Sequence, residues 1–121
     1  MGNSVVGGKS FDFAVRVVNL YRYLCDEKRE FILSKQLIRS GTSIGANIEE
    51  ALQGQSKRDY LSKMNIALKE ANETLYWIRL LHTTGYIDDK QNESIYADCN
   101  EIVSLLVSIV KTTKKNLEAA K

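Results

Sequence analysis

Residues 35–50 read KQLIRSGTSIGANIEE, and this stretch decides the fold. Leu37, Gly41, Ile44, Ile48 and the following Ala51 recur at steps of three and four. That is the period of a helix with one buried face. Ser40, Gly41, Ser43, Gly45, Ala46 and Asn47 are small. They make a poor surface helix and a good one for close packing. Gly41 and Gly45 each cost about 1 kcal/mol relative to Ala inside a helix. Four residues apart, they share a face and let a neighbouring backbone approach. Gln36, Arg39, Ser43, Asn47 and Glu50 form a polar stripe beside it.

The pattern predicts a helix over residues 30–53, closed by Gly54 in the manner of a C′ glycine. Upstream, residues 1–9 contain Gly7-Gly8 and read as a flexible lead-in. A first helix follows over residues 10–27, with Ser10 as N-cap and Asp12 in the first turn. It carries two apolar stripes. One is Phe11, Ala14, Val18, Tyr21 and Cys25; the other is Phe13, Val17, Leu20 and Leu24. Residues 26–30 form a short charged link. Downstream, Ser56-Lys57-Arg58-Asp59 matches a capping box with Asp at N3. A third helix extends to about Thr83, with Met64, Ala67, Ala71, Leu75, Ile78 and Leu81 along its core face, and Gly85 ends it. Asp88, with Gln91 three residues on, opens a fourth helix that reaches about Ala119. Ile95, Cys99, Ile102, Leu106, Ile109 and Thr113 form its core, and Val103, Val107 and Val110 a second stripe. Acidic residues fill its first half and Lys111, Lys114 and Lys115 its end, as the helix dipole favours.

Four long helices with short links predict an all-α, antiparallel up-down-up-down bundle, a single domain over residues 10–121. The surplus stripes exceed what a monomer exposes. They predict a homo-oligomer with Phe13, Val17, Leu20, Leu24, Trp77, Val103, Val107 and Val110 at the subunit interface.

The totals agree. The chain has 121 residues, the length of one domain, and no proline. A net charge of +2 does not argue for a nucleic-acid partner through global charge. Cys25 and Cys99 lie within helical patterns and read as reduced core thiols of a cytoplasmic protein. No signal peptide is read at the start, and Val6 breaks the myristoylation pattern. The most apolar run, residues 102–110, falls far short of the ~20 residues that span a bilayer, so no membrane association is expected.

Gln36-Leu37, Arg39-Ser40, Ser43-Ile44 and Ala46-Asn47-Ile48-x-Glu50 resemble the core motif of a family of small four-helix-bundle proteins. Its members include proteins encoded in intervening sequences of bacterial large-subunit ribosomal RNA genes. The accessory variability determinant proteins of diversity-generating retroelements are a related branch. The likeness continues through Lys57-Arg58-Asp59-Tyr60, Ala67-Leu68-Lys69-Glu70-Ala71-x-Glu73, Leu80 and Gly85-Tyr86, and covers residues 11–110. Ala51 and Leu68-Lys69 stand where the family often has glycine. The resemblance implies a ring-like homopentamer of bacterial, cytoplasmic origin. It brings no enzyme activity. The retroelement branch implies nucleic-acid binding beside a reverse transcriptase.

No constellation amounts to an active site. The motif residues Gln36, Arg39, Ser40, Ser43, Asn47 and Glu50 read best as a structural network, with Arg39 paired to Glu70 or Glu73. A carboxylate-bridged metal pair needs Glu-x-x-His motifs. The chain has one histidine, His82, and Arg79 stands where the glutamate would be. Neither a nucleophile elbow nor a strand-borne phosphate loop occurs. No cofactor is expected. One end of the bundle gathers Lys9, Lys57, Arg58, Lys63, Lys111, Lys114, Lys115 and Lys121 against Asp12, Glu49, Glu50, Asp59 and Glu118, a net of +3. Lys57, Arg58, Lys63, Lys111, Lys114 and Lys115 are the candidate RNA or DNA contacts. Tyr76, Trp77 and Arg79 suit a subunit contact better than base stacking. Two functions follow: an oligomeric interaction scaffold with a protein partner, without enzyme activity, and a nucleic-acid-binding accessory protein that uses the basic rim.

Overall fold

The computed structural model describes residues 4–120. Four α-helices follow one another: α1 (Ser4–Asp26), α2 (Leu33–Leu52), α3 (Lys57–Thr83) and α4 (Asp89–Ala119). No strand occurs among the described residues. The four helices enclose one core, in which Phe13, Val17, Leu24, Leu37, Ile44, Ile48, Met64, Ile78, Leu81, Ile102 and Leu106 are fully buried.

Side-chain pairings give the register. Gly41 of α2 lies against Val17 of α1, and Gly45 against Ser10. Arg39, early in α2, pairs with Glu73, late in α3, while Glu50 and Lys63 meet at 2.9 Å from the opposite ends of those helices. Cys99 of α4 bonds Ala71 O of α3 at 3.5 Å, and His82 meets Asp89 at 2.7 Å. Lys9 reaches Glu101 and Arg16 reaches Asp98, so α1 also touches α4. At 31 residues against 20, α4 outruns α2 by about 16 Å at 1.5 Å per residue.

The helix ends test the local reading. Ser56 accepts from Asp59 N at 3.1 Å, and Asp88 and Gln91 form the reciprocal capping box. Gly85 adopts φ 85°, with Gly85 N bonded to His82 O and Tyr86 N to Leu81 O, a Schellman ending. Gly54 follows α2 as expected, yet it is absent from the left-handed glycines. Its role is spatial, since a Cβ there would stand 3.0 Å from Asp59 Oδ2 and 3.1 Å from Ala51 O.

Three expectations are corrected. Helix α1 begins at Ser4, not Ser10, so residues 4–9 are no flexible lead-in; residues 1–3 lie outside the described residues. Val6 is buried, Gly7 packs on Leu52 Cδ1, and Ser10, far from capping, donates to Gly7 O at 3.0 Å. Helix α2 begins at Leu33, after the N-cap Ile32, and Glu30 lies before it rather than as its first residue: the Glu30 carboxylate accepts from Ile32 N, Leu33 N and Ser34 N at 3.1, 3.0 and 2.7 Å. The chain reverses just before it through Arg29, the one non-glycine with positive φ (54°) among the described residues. Finally, Phe13, Val17, Leu24 and Val110 belong to the protomer's own core, so they present no surface to a second copy. Leu20, Trp77 and Val103 are half-buried against that core, and Val107 alone of the eight is exposed. On the other α1 stripe Phe11 is 67% exposed, while Ala14, Val18, Tyr21 and Cys25 are half-buried.

Candidate functional site

The motif residues on α2 spend their polar groups on their own packing. Ser40, wholly buried, accepts a 2.9 Å bond from Thr74 Oγ1 across the α2–α3 contact. Ser43 Oγ donates back to Arg39 O and Asn47 Nδ2 to Ser43 O, one turn each. Such back-bonds satisfy short polar side chains within a helix without a partner element. Arg39 pairs with both Glu73 and Glu70, the latter at 3.8 Å, and bonds Gln36 Oε1 at 3.3 Å. Trp77 Nε1 donates to the same Glu73 oxygen at 3.0 Å, which fixes the carboxylate between cation and indole. Arg39 is half exposed, so solvent screens the pair and its contribution is small. Tyr76 packs edge-on against Trp77 with centroids 5.1 Å apart. Stacking of this ring pair on bases therefore competes with an existing aromatic contact.

The basic end is only partly available. Lys63 is held by Glu50, whose hydrogen bond and charge raise the lysine pKa, and Lys9 is held by Glu101 at 3.3 Å. Lys57, Arg58, Lys111, Lys114 and Lys115 are exposed and make no ion pair among the described residues. Lys121 lies outside the described residues.

Beside these cations the structure opens a cleft of about 660 Å³. Ala51 and Leu52 form one wall, the Gly54–Ser56 turn and Tyr60 the next, and α4 from Ser108 to Asn116 the third. It exists because α2 ends at Leu52 while α4 runs on. The sequence reading missed it. The available signal was Ser108, Thr112 and Asn116, uncharged hydrogen-bonding residues at steps of four beside the lysines.

Chemistry elsewhere is sparse. No cluster of three or more histidines, cysteines or carboxylates suits a metal ion among the described residues. Burial, with Asp98 beside it, pushes the Cys99 thiol up to about 12, so it is not a nucleophile at neutral pH. Cys25 is half-buried, 3.8 Å from Ser34 Oγ. No helix is long and apolar enough to cross a membrane among the described residues.

Fold and site together define a small protein of four long helices whose polar motif serves its own helix contacts. The match to the 23S rRNA-intervening sequence protein family extends over residues 3–108, and the chain belongs to that family. A solved crystal structure is similar: a protein of unknown function from the S23 ribosomal protein family of Bacteroides thetaiotaomicron VPI-5482. It is 59% identical, the match covers 92% of this chain and 99% of that one, and the TM-score is 0.90. Comparison with curated proteins finds no match.

Proposed function

We propose that this protein is a non-enzymatic, oligomeric scaffold: an up-down-up-down antiparallel bundle, cytoplasmic, that joins copies of itself and a protein partner. The pairing of early α2 with late α3, and of early α1 with the middle of α4, supports the antiparallel course. The observation that carries the scaffold reading is a pair of exposed apolar side chains one turn apart on α1, Phe11 (67%) and Val15 (46%), the latter outside both predicted stripes, with half-buried Val18 next along the helix. Large apolar side chains in line on a helix face lose free energy to water until another surface covers them. The family resemblance favours five copies.

Light scattering coupled to size-exclusion chromatography tests this reading. The parent is expected to elute as an oligomer near five times the 13.7 kDa chain. Phe11→Glu is expected to give monomer, and Val107→Glu tests the exposed valine of α4. A monomeric parent would overturn the assembly, and a Phe11→Glu variant as large as the parent would remove the α1 pair from it.

A second reading, nucleic-acid binding, is favoured by the five unpaired cations at the α3 start and α4 end. The triple variant Lys111→Glu, Lys114→Glu, Lys115→Glu is expected to weaken binding of single-stranded RNA by more than about tenfold at low salt. It should also flatten the salt dependence by roughly two to three units of log–log slope. Unchanged binding would dismiss the rim.

A further inference from the structure

The cleft at the α2–α3 turn has a composition that neither reading above uses. Each wall contributes apolar surface, from Ala51, Leu52, Tyr60 and Ile109. Its α4 wall presents Ser108, Thr112 and Asn116, which lie on one helix face. None of these three side chains has a hydrogen-bond partner among the described residues, whereas the neighbouring Thr113 spends its hydroxyl on Ile109 O at 2.7 Å. Lys57 is the one charged residue in the lining, and no carboxylate, histidine or cysteine lines the space. A volume of about 660 Å³ falls within the range of about 300–1,000 Å³ typical of small-molecule sites.

Each part of this lining excludes a class of ligand. A metal ion finds no anionic donor. A bare anion would leave the apolar lining wet, and a purely apolar ligand would take Lys57 and three hydrogen-bonding side chains out of water without partners. The lining asks for one molecule with a flat apolar face, an edge of mixed donors and acceptors, and one anionic group. We propose that this cleft binds a nucleoside monophosphate. The base lies on Tyr60 and Ile109, its edge meets Thr112 and Asn116, and the phosphate pairs with Lys57. The chemistry is shared by a free nucleotide and by the terminal residue of a strand, and the experiment separates the two. This inference stands apart from the basic-rim reading, since it depends on the cleft wall and not on Lys111, Lys114 or Lys115.

Calorimetric titration of the full chain with AMP, UMP, ribose 5-phosphate and inorganic phosphate tests it. At least one nucleotide is expected to saturate with a Kd on the order of 10–100 μM, within reach of a ligand of that size. Ribose 5-phosphate should bind at least about tenfold more weakly, since it lacks the base. Lys57→Ala is expected to weaken the nucleotide by about tenfold, the effect of losing one charge-assisted contact. The double variant Thr112→Val, Asn116→Leu, on the exposed end of α4, should weaken the nucleotide and leave ribose 5-phosphate unchanged. Circular dichroism of each variant checks that the helices persist. Absence of saturable binding by any nucleotide overturns the proposal. So does phosphate that binds as tightly as AMP, or nucleotide affinity that neither variant changes. In the strand arm, AMP is added to a complex with a short 5′-phosphorylated RNA. Displacement places the strand's terminal residue in the cleft. RNA that stays bound while AMP saturates its own site assigns the cleft to the free nucleotide. RNA that is lost on charge reversal at Lys111, Lys114 and Lys115, with AMP affinity intact, separates the rim from the cleft.

Discussion

Glu30→Ala is expected to cost about 2–3 kcal/mol of stability, although Glu30 sits in a short charged link and touches no ligand. Its carboxylate accepts three successive backbone N–H groups at the start of α2, and Ser34 Oγ in turn donates to Glu30 O at 2.8 Å. A lost N-cap commonly costs about 1 kcal/mol, and hydrogen bonds to a charged group contribute about 1.5–3 kcal/mol. Three bonds to one buried carboxylate place this site toward the upper end. At this chain length the melting temperature should fall by roughly 3–5 °C per kcal/mol. Urea unfolding of the variant is the check. A midpoint shift worth less than about 0.5 kcal/mol would show that water replaces the carboxylate without loss.

The same group sets an acid limb. Burial acts to raise the Glu30 pKa, but the bonds from Leu33, Ser34 and Ile32, with the Ser34 side chain, outweigh it and hold the pKa below its ordinary 4.5. A carboxyl whose folded pKa is lowered stabilises the fold fully above the unfolded value. That contribution is lost as the pH falls from about 4.5 through the folded pKa. Glu30→Gln keeps one acceptor oxygen and no titration. Its unfolding free energy should therefore decline less steeply than the parent's below pH 4.5, and parallel curves would assign the acid sensitivity to other carboxylates.

Glu30 also shows what the sequence does and does not disclose. Helical periodicity places all four helices, and cap chemistry places the starts of α3 and α4, because Ser56 and Asp88 act within their own first turn. Glu30 reads as helical because glutamate suits a helix, and nothing local reveals that its carboxylate folds over the next three N–H groups. The α1 start is hidden for a similar reason. Gly7 and Gly8 look like breakers, but Gly7 is where α1 meets Leu52, a contact that exists only in three dimensions. The two α1 stripes both satisfy a 3.6-residue period, so periodicity does not say which faces inward. Contact with Gly41 decides it, since Val17, from the second stripe, lies over that glycine. Among site residues, the link from Arg39 to Glu70 and Glu73 is legible from charge pairing. The cleft is not, because it depends on α4 outrunning α2.

That close approach gives the second large effect. A Cβ on Gly41 would stand 2.8 Å from Val17 Cγ1 and 2.9 Å from Cγ2. Val17 is completely buried and β-branched, so its methyl groups have no other well to turn into. Gly41→Ala gains about 1 kcal/mol of helix propensity and meets an overpacking cost of about 1–3 kcal/mol, so the net is a loss of up to about 2 kcal/mol. Gly45, one turn along the same motif, behaves oppositely. Its Cβ would meet Ser10 O and Ser10 Oγ at 3.5 Å, ordinary contact, so Gly45→Ala should stabilise by about 0.5–1 kcal/mol. The pair separates two accounts of the motif, since a glycine kept for flexibility would give both substitutions the same sign. A double-mutant cycle completes the case. Val17→Ala alone opens a cavity and destabilises. In that background Gly41→Ala fills the space, and its sign should reverse to a gain of about 1 kcal/mol. If Gly41→Ala costs as much in the Val17→Ala background as in the parent, the contact between α1 and α2 is not what excludes a side chain at this position.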